Sequence, residues 1–435
     1  MTERLLRHLC TFLGICLPLL MTALPAHAAL PVTGKAATAA YWMRADGDAL
    51  LMSAEEAEAH RGEAVAAGLL YDLADAPQRR SGLDLRAAIR EAAQGLDRRL
   101  PELYAGGEPL AAELWDSILD RCAIERIGAR ITVRPAVAVS RASVRHLPTE
   151  EGWFASPDDV RYDALQGTVL DPGEAVLVLH ESQDGGFAFV ETRDYRGWVD
   201  ARALAETDWK TWRGFAAPEE FFTVTAAQLR MDKNRLHYQL GAKIPGRRAE
   251  DGEICILLPA RDAGGHLAVR EERIPDDGRL AAGRLPFTHN NLMRLAFAPL
   301  YTEYGWGGAN EGMDCSSYVQ NIYRAMGLDL PRDADMQERA CSLLPLAGLS
   351  AAERYALLAD VPPGALLFRP GHVMLYLGQD AGGTPLVIHD ISSYYEDGEK
   401  KYIRQVVVST LEFQDECGTA AIDTLHAVGF IAPAP

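Results

Sequence analysis

A chain of 435 residues is longer than one hydrophobic core usually serves, so about two to four domains are expected. Its formal charge of −18 argues against nucleic acid as a partner and against capture of anionic polymers by charge alone. Beyond the N-terminal leader no run is long and apolar enough to cross a bilayer, so no transmembrane anchor is expected in the processed chain.

In chain order, Arg4 and Arg7 precede an apolar run from Leu9 to Met21 and then Ala26-His27-Ala28. That is the plan of a secretory signal peptide over residues 1–28, and it predicts a periplasmic or secreted protein. Cys16 follows Ile15, where a lipid-attachment signal needs a small residue, so cleavage after Ala28 is the expectation. The leader carries two basic residues and one acidic one, so its loss takes the charge from −18 to −19. Cys10 and Cys16 leave with it, and Cys122, Cys255, Cys315, Cys341 and Cys417 remain. An odd number in an exported chain leaves one candidate reactive thiol; the other four are either two disulfides or buried free thiols.

Residues 29–129 read as a helical N-terminal module. Ser53 with Glu56 forms a capping box ahead of an Ala-, Leu- and Glu-rich run, and "LDLRAAIREAAQGLDRRL" and "PLAAELWDSILDRCAIERI" continue in the same style. After Ala129 the period changes to two. "GEAVLVLHESQDGGFAFVETRDYRGWVD" alternates apolar strands around Asp184-Gly185-Gly186, and "GEICILLPARDAGGHLAVREE" repeats the design from Gly252. This self-similarity predicts two small β units, over residues 130–207 and 208–284. The first ends in "YRGWVDARALA" and resembles the bacterial SH3 domains found fused to wall hydrolases, so both are expected to be SH3-like barrels with Trp198 in a core. Residues 285–435 are mixed α and β, giving an α+β multidomain chain.

The chemistry concentrates there. In "YGWGGANEGMDCSSYVQNIYRAMG", Val319, Ile322, Tyr323 and Met326 share one helical face, Gly327 closes the helix, and Asp314 stands at the N-cap. Cys315 then falls in the first turn, where free backbone N–H groups and the helix dipole should lower the thiol pKa, against the opposing charge of Asp314. "GHVMLYLG" and "PLVIHD" read as antiparallel strands that bring His372 opposite or nearly opposite His389, with Asp390 on the other face. The constellation is a thiol nucleophile, Cys315, with His372 as base and His389 as its orienting partner.

Residues from about Tyr301 to Ala434 resemble the NlpC/P60 family of papain-like cysteine peptidases. The motifs stand in the family's order: Tyr304, Trp306, Gly307 and Gly308; Asp314, Cys315 and Ser316; "LPRDADMQ" with Arg332 and Gln337; Gly371, His372 and Val373; and His389. Ser317 departs from the family's usual Gly and could narrow the groove. The resemblance implies hydrolysis of the amide between the γ-carboxyl of D-glutamate and a diamino acid such as diaminopimelate in wall stem peptides, through a thioester. It implies an oxyanion held by the Cys315 N–H and Tyr304, a free L-Ala amine held by Asp314 and Ser316, and Trp306 beside them. Peptidoglycan or its stem peptides would be the partner. Metal-ligand spacings and phosphate-loop motifs do not occur, so no cofactor is expected. The alternatives are a peptidase restricted to free stem peptides with an N-terminal L-Ala, a wall-binding protein with an inactive peptidase domain, and acyl transfer on lipids.

Overall fold

A computed structural model describes residues 30–97, 102–231, 233 and 235–431. The leader read over residues 1–28 lies outside the described residues.

The segment expected to be one helical module has no single core of its own. Trp42 and Met52 join the core of the C-terminal region, and the Trp42 carbonyl meets His289 Nε2 at 2.7 Å. Helix α1 (Ala54–Ala66) starts at the expected Ser53–Glu56 capping box, and Ala64, Leu69 and Leu70 pack near Met336 and Ala340. Helices α2 (Gly82–Asp97) and α3 (Ala112–Arg121) instead lay Leu85, Ile89, Trp115 and Ile118 on the first β unit. Helices with a single apolar stripe bury it best on a larger sheet face, so the segment divides between the two bodies it covers.

Seven strands form the first β unit: β1 (Arg134–Ala138), β2 (Ala142–Arg145), β3 (Gln166–Leu170), β4 (Ala175–Glu181), β5 (Phe187–Glu191), β6 (Arg196–Asp200) and β7 (Leu204–Glu206). They hydrogen-bond in the order β7-β1-β4-β5-β6-β2-β3, each pair antiparallel. The alternation sends Val144, Val176, Val178, Val190 and Val199 to one core and Leu177, Leu179, Phe189 and Trp198 to another. Trp198 is fully buried against Phe189, as a core residue should be. Helix α4 (Trp209–Ala216) adds Trp212 to the same layer.

The second β unit contains β8 (Phe221–Val224), the hairpin β9 (Gln228–Met231) and β10 (Leu236–Gln239), then β11 (Lys243–Arg248), β12 (Ile254–Arg261), β13 (Leu267–Ile274) and β14 (Leu280–Ala282). Its larger sheet runs β13-β12-β11-β8-β14 around a core of Phe222, Tyr238, Ile244, Ile254 and Ile256.

The C-terminal region follows in the order α5 (His289–Phe297), α6 (Cys315–Ala325), α7 (Ala334–Arg339), β15 (Ser342–Pro345), α8 (Ala351–Leu358), β16 (Leu366–Arg369), β17 (His372–Gln379), β18 (Pro385–Glu396), β19 (Glu399–Ser409), α9 (Ala421–Thr424) and β20 (Ala427–Phe430). Its antiparallel sheet runs β15-β20-β16-β17-β18-β19. Helices α5 and α6 cover one face, where Leu292, Val319, Ile322 and Tyr323 meet Val373, Leu375, Ile388 and Val406. Leu358 and Ile422 cover Met374, Tyr376, Val387 and Val407 on the other. Both faces are dry, so every second residue of β17 and β18 must serve a different core, and a polar residue there needs a specific partner.

Candidate active site

The turn before Cys315 is made by glycines at positions where a side chain would be strained. Gly307 (φ 57°) and Gly308 (φ 80°) are left-handed, and a Cβ on them would stand 2.6 Å from Gln166 Cγ and 2.5 Å from Val169 Cγ2 of the first β unit. The Gln166 amide donates to the Gly307 carbonyl at 3.0 Å, and Arg141 donates to Gly308 at 2.9 Å. The Trp-Gly-Gly signature thus builds the seam between two domains.

Asp314 caps α6 as expected: its Oδ1 accepts the Ser317 N–H at 2.9 Å, and Ser317 Oγ accepts the Asp314 N–H at 2.9 Å. Ser317, the departure from the family pattern, therefore completes a capping box and is buried in it. The other carboxylate oxygen of Asp314 accepts the Gly307 N–H at 2.9 Å and Arg332 at 2.6 Å. Arg332 also donates to Ser316 Oγ and, across the seam, to Thr168 Oγ1, each at 2.8 Å. Gln337 donates to the carbonyls of Ser316 and Pro331. Burial alone would raise Asp314, but Arg332 and Ser317 hold its carboxyl below the usual range. Asp314 and Ser316 are thus both engaged by Arg332 while they line the groove.

Cys315 occupies the first position of α6 and lines a groove of about 990 Å³ with Tyr304, Trp306, Ser316 and His372. The expected fall in its pKa is overturned: burial first, and then the Asp314 charge, push the thiol up to about 12, against the opposing pull of the Val373 N–H and Arg332. Desolvation outweighs the helix terminus here, so the resting nucleophile is a neutral thiol.

Strands β17 and β18 pair antiparallel, but Leu375 faces Ile388, so His389 faces position 374 and His372 lies two residues further along the same face. The offset is what joins the rings: His372 Nε2 meets His389 Nδ1 at 2.7 Å. His389 is fully buried against Phe413, and its Nε2 meets Ser409 Oγ of β19 at 2.9 Å. If His389 donates to Ser409 and His372 donates to His389, His372 Nδ1 keeps a free lone pair. Burial, then the Arg369 charge, hold His372 down to about 3, and His389 lies well below its ordinary value for the same first reason. Both imidazoles are neutral at neutral pH, as a proton acceptor and its orienting partner must be. Asp390 points to the opposite face, buried, with no hydrogen-bond partner for either oxygen among the described residues.

Burial and the nearby Asp314 raise Tyr304 well above the usual phenol value, so its hydroxyl remains a donor. Trp306 is 42% exposed, with its indole N–H on the Asp163 carbonyl at 3.1 Å and its ring near Tyr162. His146, Gln166 and Tyr195 of the first β unit complete one wall of the groove. Sequence reading missed Ser409 and Thr168; in relatives of this kind the first SH3-like domain borders the groove, a question the residue order left open for this chain. Arg332 was visible in its motif, though its partners were not. Among the described residues the five cysteines are free thiols, no group of acidic, His or Cys side chains is placed to hold a metal, and no helix is long and apolar enough to cross a membrane.

A thiol at a helix start, laid on an antiparallel sheet that presents a histidine pair, is the layout of the papain-like cysteine-peptidase fold. Residues 301–408 match the NlpC/P60 family model and residues 153–200 match the SH3 domain (SH3b1 type) model. Residues 301–408 thus form an NlpC/P60 domain, and residues 153–200 an SH3b domain that precedes it in the chain. It is 34% identical over 90 residues to a dipeptidyl-peptidase 6 of Lysinibacillus sphaericus, covering 20% of this chain and 29% of that one. It is 36% identical over 76 residues to a γ-D-glutamyl-L-lysine dipeptidyl-peptidase of Bacillus subtilis (strain 168), covering 17% of this chain and 24% of that one. The chain thus matches under a third of the length of these curated relatives. An NlpC/P60 endopeptidase of Photobacterium damselae subsp. piscicida superposes with a TM-score of 0.74 at 15% identity, over 93% of this chain and 98% of that one. At that identity the likeness concerns the fold, and it extends across all the domains.

Proposed function

We propose that the protein acts outside the cytoplasm and hydrolyses the amide between the γ-carboxyl of D-glutamate and a diamino acid in peptidoglycan stem peptides. The observation that carries this reading is the joint presence of Cys315, His372 and Tyr304 on one groove, with His389 behind His372. The relative named a γ-D-glutamyl-L-lysine dipeptidyl-peptidase supports the choice of bond.

In the reaction, His372 takes the Cys315 proton as the sulfur attacks the amide carbon, forming the C–S bond and an oxyanion. The Cys315 N–H and the Tyr304 hydroxyl are the donors for that oxygen. Collapse breaks the C–N bond, and the proton on His372 goes to the leaving amine. Water, deprotonated by His372, then attacks the thioester; the carboxylate leaves and the thiol regains its proton. His389 keeps the His372 ring in the tautomer that accepts from sulfur.

A narrower reading, restriction to free stem peptides with an N-terminal L-Ala, draws support from the wall contributed by the SH3b domain. With Asp314 and Ser316 bound to Arg332, Asp333 is a further groove carboxylate for an amine: its side chain makes no hydrogen bond among the described residues, and burial raises it to about 6. Digestion of purified muropeptides with mass analysis of the products tests the bond. Loss of cleavage in Cys315→Ala is expected; cleavage undiminished by it, or a different bond cut, refutes the reading. Comparing intact sacculi with free tripeptide separates the broad substrate range from the narrow one.

A further inference from the structure

Arg369 ends β16 and pairs across the hairpin with His372. It lines the same groove, its side chain is 13% exposed, and its guanidinium lies over the Phe413 ring, 5.4 Å from the centroid. The buried arginines of this domain are anchored: Arg324 on Asp171, Glu174 and the Leu240 carbonyl, Arg332 on Asp314, Ser316 and Thr168, and Arg354 on the carbonyls of Ile422 and Asp423. Arg369 differs. Among the described residues its side chain donates no hydrogen bond, and its Nε is buried without an acceptor. Its one ion partner among the described residues, Asp415, stands with Oδ2 at 4.0 Å, while Oδ1 of the same carboxylate accepts the N–H groups of Cys417 and Thr419 at 2.9 and 3.0 Å. A guanidinium held by an aromatic face, with its fork unspent and turned to a substrate groove, is arranged to receive a planar anion.

We propose that Arg369 binds the α-carboxylate of the leaving diamino acid, a proposal that rests on the hydrolytic reading given above. The leaving residue must lie against His372, because that imidazole returns the proton to its nitrogen, and Arg369 is the cross-strand neighbour of His372. The site therefore selects a stem peptide that ends at the diamino acid over one whose carboxyl is already in an amide. Binding also aids the chemistry: Arg369 opposes protonation of both histidines, and a carboxylate on it cancels that opposition as His372 takes the thiol proton.

The test uses the full chain and two synthetic tripeptides, L-Ala-γ-D-Glu-L-Lys with a free C-terminal carboxylate and the same peptide as its carboxamide, with the diaminopimelate counterparts alongside. The wild type should favour the carboxylate about ten- to hundredfold in kcat/KM, the range of a charge-assisted fork contact. Arg369→Met should collapse that ratio toward one, mainly through KM, and Arg369→Lys should keep part of it. An effect exerted only through the histidines would shift the pH profile alike for both peptides and leave the ratio intact, overturning the proposal. A wild-type ratio near one also overturns it, whether or not the variants fold. If the wild type cuts no member of either pair, the hydrolytic reading falls and this one with it.

Discussion

His389 bridges two strands, with Nδ1 at 2.7 Å from His372 Nε2 and Nε2 at 2.9 Å from Ser409 Oγ. With Ser409 Oγ accepting from His389 Nε2–H, Ser409 is a positioning residue that holds His389 in the tautomer whose Nδ1 accepts from His372; with the hydroxyl donating instead, the order of donors reverses.

Ser409→Ala should therefore lower kcat with little change in KM, by the order of tenfold, a fraction of the roughly 10²–10⁴-fold that a placed base supplies. Ser409→Thr, which keeps the hydroxyl, should recover part of the loss. A pH–rate profile on the same variants separates a tautomer effect from a packing defect: the acidic limb should move for Ala and not for Thr. Equal rates for wild type and Ser409→Ala would remove the residue from the mechanism.

The Asp314–Arg332 pair is buried, with Arg332 2% exposed. Arg332→Met strands an anion beneath the nucleophile and should cost about 3–5 kcal/mol, read by denaturant unfolding. Thr168→Val, which removes only the contact across the seam, should cost about 1 kcal/mol. The folded Asp314 pKa is depressed, so the pair's contribution is full above the unfolded carboxylate pKa and is lost as pH falls through the folded one. Acid should consequently destabilise the wild type more steeply than Arg332→Met, and parallel pH curves would count against this pairing as the cause.

Gly308→Ala places a Cβ at a left-handed position and against Val169. A loss of about 1–3 kcal/mol is expected. Limited proteolysis should then open the seam between the SH3b and peptidase domains before either domain unfolds. A variant as resistant as wild type would show that the seam tolerates the methyl group.

Asp390 is buried beside the catalytic strand without hydrogen-bond partners among the described residues, and burial raises it well above the usual carboxylate value. Its folded pKa exceeds the unfolded one, so its contribution to stability is complete below the unfolded pKa and declines as pH rises toward the folded value. Each pH unit in that window costs up to about 1.4 kcal/mol. Asp390→Asn removes the titration, so the fall in stability as pH rises from the unfolded carboxylate pKa toward the folded one should flatten, as thermal unfolding at several pH values would reveal. An unchanged slope would assign the dependence to other groups.

Much of the site is legible along the chain. The capping box at Ser53, the cap at Asp314, the apolar face from Val319 to Met326 and the β17–β18 pairing all follow from local spacing, and each is present. Such features depend on hydrogen bonds and side-chain periods within a few residues of one another, so the residue order is enough to specify them. The fate of the N-terminal helices is not of this kind. Their stripes announce that something must be covered, but which sheet they cover depends on faces assembled from distant segments.

By itself the residue order determined the helix that Cys315 begins, the pairing of the strands that carry His372 and His389, and the family pattern. Tertiary structure decided what those groups are worth. Burial made Cys315 a neutral thiol, against the helix terminus that should have lowered its pKa, because desolvation depends on everything packed around it. It set His372 and His389 on a diagonal rather than face to face, because the register of β17 and β18 is fixed by the cores on both sides of the sheet. It also assigned Asp314 to Arg332 and left Arg369 with an unspent fork. Both outcomes depend on which acceptors the folded chain brings within about 3 Å, a distance that sequence separation does not encode.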